Sequence, residues 1–85
     1  MTPPTDATRF FKIVLRTIPG DGVVHDGLTR VTVNGHVIYH EPTLRDRKEG
    51  SQPVRVHMLA YALEKMGCVV RVHHRHGDAP PEADA

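Results

Sequence analysis

The chain has no tryptophan, two phenylalanines, two tyrosines and a single cysteine among its 85 residues. One cysteine excludes an intrachain disulfide. A domain of this size, near the length at which proteins add covalent staples, must therefore rely on its core or on association. Cys68, between Gly67 and Val69, reads as a small apolar residue in a reducing compartment rather than a nucleophile. No apolar run approaches the roughly 20 residues needed to cross a bilayer. Lys12 and Arg16 interrupt the apolar stretch at 10–18, so no secretory leader pattern is present and a soluble, cytoplasmic protein is expected.

Catalytic and metal signatures are also scarce. There is no Cys-x-x-Cys and no His-Glu-x-x-His spacing, and Gly20-Asp21-Gly22 is a lone turn without a following helix to cradle phosphate. Asp21, His25 and Asp26 are loop residues of the kind that is usually solvated. The expectation is no enzyme, no cofactor and no resident metal. A formal net charge of +1 names no partner.

The firmest positive signal is Val31 to Tyr39, VTVNGHVIY. Asn34-Gly35 supplies the two positive-φ residues of a type I′ turn between β-branched flanks. The predicted strands are Arg9–Ile18, Leu28–Val33, His36–His40 and Cys68–His74. With a two-residue loop, Val31 should face Ile38 and Arg30 should face Tyr39. Glu41-Pro42 should end the hairpin, and residues 43–50 read as a charged connection.

Ser51 is a good helix N-cap with Pro53 in the first turn, and Gly67 a good C-terminal stop. Between them Val56, Leu59, Ala60, Leu63 and Met66 form an apolar stripe. The predicted fold class is α+β: a small four-stranded sheet in β-β-β-α-β order with one amphipathic helix on one face. Residues 1–8 and 77–85 are rich in Pro, Ala and Asp and read as disordered tails around a single domain at 9–76.

One helix covers one sheet face. The core face is assigned Phe11, Ile13, Leu15, Val31, Val33, Ile38, Val70 and Val72. The other face then carries Phe10, Lys12, Val14, Arg16, Ile18, Arg30, Thr32, Val37, Tyr39, Val69, Arg71, His73 and Arg75, a mixture of apolar, aromatic and cationic groups without an acid. From it Lys12, Val14, Arg16, Arg30, Val37, Tyr39, Arg71, His73 and Arg75 are the candidate binding residues.

A solvated sheet with snorkelling Lys and Arg stems would show the same pattern. Arginine and aromatic groups among apolar ones also suit a protein interface. The expected role is a non-enzymatic adaptor or inhibitor that binds a protein partner or forms a homodimer. The alternative is a nucleic acid, with phosphates on Arg16, Arg30, Arg71 and Arg75 and bases stacked on Tyr39 or Phe10. A third reading is a His-rich metal-binding protein, since the chain has seven histidines. His36 and His40 should share a strand face about 13 Å apart, too far for one ion, and His74 with His76 form the best local pair.

Overall fold

The first apolar segment, rich in β-branched and aromatic residues, makes a strand, and the strand becomes central. The computed structural model of the chain describes residues 9–20, 27–43 and 53–85. β1 (Phe10–Pro19) pairs antiparallel with β2 (Gly27–Val33) and parallel with β4 (Val69–His76), while β3 (His36–Pro42) pairs antiparallel with β2. The strand order is β3-β2-β1-β4. The helix α1 (Val54–Lys65) is the crossover that turns β4 parallel to β1. The α+β architecture is the one the sequence predicts. The predicted tail at 1–8, the charged connection beyond Thr43 and the Ser51 cap lie outside the described residues.

Asn34 (φ 52°) and Gly35 (φ 83°) form the expected tight turn. Asn34 also extends the β1–β2 ladder. Its Oδ1 accepts from the Lys12 amide at 2.8 Å and its Nδ2 donates to the Phe10 carbonyl at 3.3 Å. The helix starts one residue after Pro53, which occupies the cap position itself. It stops in a Schellman motif: the Cys68 amide donates to the Leu63 carbonyl and the Gly67 amide to that of Glu64, with Gly67 at φ 86°.

The core between sheet and helix is Ile13, Leu15, Val31, Val56 and Ala60, with Val33, Tyr39, Leu59, Val70 and Val72 packed against it. Phe11 and Leu63, expected in this core, are half-buried outside the cluster, and two further expectations fail. Met66, predicted in the helix stripe, is 76% exposed, because the chain leaves the helix at that residue. Ile38, predicted in the core, is 53% exposed, and Tyr39 takes its place.

The cause is a β-bulge. Thr32 faces Val37 as the tight turn requires, but Val31 faces Tyr39, so Ile38 is the extra residue. Beyond a bulge every side chain changes face. β3 also runs on to Pro42, further than the predicted end at His40; a proline is tolerated there because β3 is an edge strand.

Ile13 is fully buried on the helix side of the central strand. Ile13→Ala should cost about 2–5 kcal/mol in denaturant unfolding. An unchanged midpoint would contradict the assigned core.

Candidate binding face

In-register pairing arranges side chains in rows across the sheet. On the face away from the helix, Arg75 of β4, Arg16 of β1, Arg30 of β2 and His40 of β3 are successive partners. The neighbouring row is His73, Val14, Thr32 and Val37. Beyond it Lys12 lies beside Arg71 and Phe10 beside Val69. Strands are spaced about 4.8 Å apart, so three guanidiniums in one row repel unless an anion enters.

That anion is Asp84. It sits in a short 3-10 turn, Pro81–Asp84, that follows β4 and folds back over the sheet. Arg16 grips the carboxylate with a fork, Nη2 to Oδ1 at 2.6 Å and Nε to Oδ2 at 3.1 Å. Arg30 donates Nη2 to Oδ2 at 3.2 Å. Paired donors on a planar fork add direction to the charge attraction. All three side chains are buried, Asp84 at 1% exposure, Arg30 at 6% and Arg16 at 8%.

Cationic donors of the face also reach main-chain carbonyls. Arg16 Nη1 donates to the carbonyls of His76 and Gly77, Arg30 Nη2 to that of Ala79, and Lys12 Nζ to that of Ala85. Hydrogen bonds from Arg16, supported by those from Arg30, hold the Asp84 carboxyl below the ordinary carboxylate range, although burial opposes them. The same bonds to Asp84 raise Arg16 against the opposing effect of its burial. The arrangement grips a carboxylate together with the backbone carbonyls around it.

Residues 77–85, read from composition as a disordered tail, are thus packed on the sheet. Small residues give this segment little apolar area, and ion pairing with main-chain hydrogen bonds holds it instead. Among the candidate binding residues, Val14, Arg16 and Arg30 are buried on this face, Lys12 and His73 are half-buried, and Val37, Arg71 and Arg75 are exposed.

Tyr39 does not belong with them. The bulge turns it to the helix side, where the Arg55 guanidinium stands 5.8 Å from its ring centroid. Sequence reasoning missed Asp84. The available signal was charge complementarity: a cationic face without an acid, and a following segment containing Asp78, Glu82 and Asp84.

The bulge also separates two histidines expected to share a face. His36 pairs with Val33 on the helix side and His40 with Arg30 on the other. Among the described residues no group of three His, Cys, Asp or Glu side chains could hold a metal ion. Asp21, His25 and Asp26 lie outside the described residues.

A carboxylate whose folded pKa is depressed adds stability that is fully present above its unfolded pKa and is lost as pH falls through the lower, folded value. Thermal melts should therefore lose part of their stability on acidification below the ordinary carboxylate range. Asp84→Asn should remove that part and leave a flatter acid limb. Superimposable acid limbs for the two proteins would contradict the ion pairing. Comparison of the chain with family models, curated proteins and solved structures yields no match to any of them.

Proposed function

We propose that the chain is a small non-enzymatic binding module of the adaptor or inhibitor type, acting in the cytoplasm. It engages a protein partner, or a second copy of itself, through the sheet face opposite the helix. One observation carries this reading: a row of three arginines and a histidine stands on paired strands, and a single carboxylate is buried in it. Rigid strands pre-position the cations, so little ordering entropy is lost when a ligand meets them. Around the row lie exposed Val37 and Phe10, the mixture of apolar and arginine contacts that protein interfaces favour.

The nucleic-acid reading has weaker support. Arg16 and Arg30, two of the four guanidiniums it needs for phosphates, are buried around Asp84. Tyr39, one of its two stacking groups, is on the helix side. Arg71, Arg75, Lys12 and Phe10 remain for that purpose. No observation among the described residues favours a metal-binding role. No helix among them is long and apolar enough to cross a membrane.

Affinity capture from the native cell, followed by mass spectrometry, tests the reading. A partner retained by the wild-type chain should be lost with Val37→Asp and with Arg71→Glu. Retention by both variants would contradict use of this face. Random single-stranded oligonucleotides should bind at micromolar affinity or weaker and release as salt rises. Their log affinity falls by about 0.7 per phosphate contact for each tenfold change in salt. Tight oligonucleotide binding that survives physiological salt would replace the protein reading.

A further inference from the structure

Among the described residues, the side-chain hydrogen bonds by which the face holds residues 76–85 all go to one carboxylate or to main-chain carbonyls. Arg16 and Arg30 take Asp84, and the carbonyls of His76, Gly77, Ala79 and Ala85 take the remaining bonds from Arg16, Arg30 and Lys12. Nothing in that set depends on a side chain other than Asp84. Any peptide with an aspartate or glutamate at the matching place, in the same short turn, would meet the same donors.

The fit of the present occupant is incomplete. Arg30 Nε and Thr32 Oγ1 are buried on this face without a hydrogen-bond partner. Buried donors left unpaired are costly, so an occupant that supplied acceptors to them would gain over residues 77–85. Arg75, next to Arg16 in the row, is exposed and among the described residues donates only locally, to the carbonyl of His74, at 3.2 Å. A ligand with a second carboxylate about one strand spacing from the first would meet it.

The segment brings little apolar side chain of its own: Ala79 and Pro81 are half-buried, and Pro80, Ala83 and Ala85 are exposed. Release returns both guanidiniums to water, so their desolvation cost is recovered rather than left as a buried unpaired charge.

We propose that residues 77–85 are an internal stand-in for the partner, and that the partner's contact element is an acidic protein segment with the same short turn, whose carboxylate replaces Asp84. This inference rests on the binding role proposed above and specifies its chemistry. The tether gives the stand-in an effective concentration in the millimolar range, so an outside peptide must compete with it. Removing the internal carboxylate should therefore strengthen binding in trans.

The probes are a fluorescent, terminally blocked peptide with the sequence of residues 77–85, and the same peptide with asparagine in place of Asp84. The protein is the full chain, wild type and Asp84→Asn. The aspartate peptide should bind Asp84→Asn at least about tenfold more tightly than wild type. The asparagine peptide should bind neither, and Arg30→Gln within Asp84→Asn should abolish the gain. Equal binding of the aspartate peptide to both full chains would overturn the proposal.

If Asp84→Asn fails to fold, the wild-type chain decides by amide NMR. Excess aspartate peptide should bring the chain's own Ala83 and Ala85 amides to solvent-like exchange. Ala83 and Ala85 amides that keep their protection would overturn the proposal. If the peptides fail while Val37→Asp and Arg71→Glu still abolish partner capture, the binding face stands and its partner is not an acidic segment.

Discussion

The Asp84 carboxylate, shared by Arg16 and Arg30, is the constraint on which one whole side of the molecule depends. The β1–β2 register sets the two guanidiniums directly opposite one another. Without an anion the pair would repel and would have to stay hydrated, leaving Val14 and Thr32 beside water. With Asp84 in place both of those residues are fully buried. A small chain thereby gains a third layer of helix, sheet and acidic segment, where its composition promised two. The gain is electrostatic in origin and differs in kind from the apolar core on the helix side.

The helix side determines where that acidic segment starts. The crossover through α1 brings β4 parallel to β1, and the two strands run in register to the pairing of Thr17 with His76. The Gly77 amide then donates to the Thr17 carbonyl at 2.9 Å. The chain thus leaves the sheet immediately beyond the row of Arg16 and Arg75. At the far end of the segment Ala85 reaches the hairpin turn, where a Cβ on Gly35 would lie 2.9 Å from the Cβ of Ala85. Gly35 serves both the positive φ of the turn and the close approach of the segment.

Much of this was legible in the residues. Asn34-Gly35 announces the hairpin, Gly67 the helix stop, and the alternation of Phe11, Ile13 and Leu15 against Lys12, Val14 and Arg16 assigns both faces of the central strand. Beyond the turn, Val37-Ile38-Tyr39 is apolar throughout, so either Ile38 or Tyr39 could enter the core and the pattern does not reveal a bulge. One inserted residue then moves Tyr39 to the helix side and parts His40 from His36. Residues 77–85 were misread for another reason. Composition measures how much apolar area a segment can bury, and this segment is held by a carboxylate and its own carbonyls. The clue lay in two separate places, an acid-free cationic face and an acidic segment tethered beside it.

An occupied binding face changes what its sequence signal means. The cations that suggest an open docking surface are partly engaged within the chain, and their availability to a partner depends on a competition between a tethered carboxylate and an external one. The account therefore stands or falls on Asp84 being an ionised, arginine-bound group in the folded protein in solution. Carbon-detected NMR titration of the side-chain carboxyl groups measures this directly. Asp84 should titrate below the ordinary carboxylate range, and the Gly35 amide should shift along the Asp84 curve as the segment lets go. An Asp84 carboxyl that titrates within the ordinary carboxylate range, with a Gly35 resonance indifferent to it, would contradict the account.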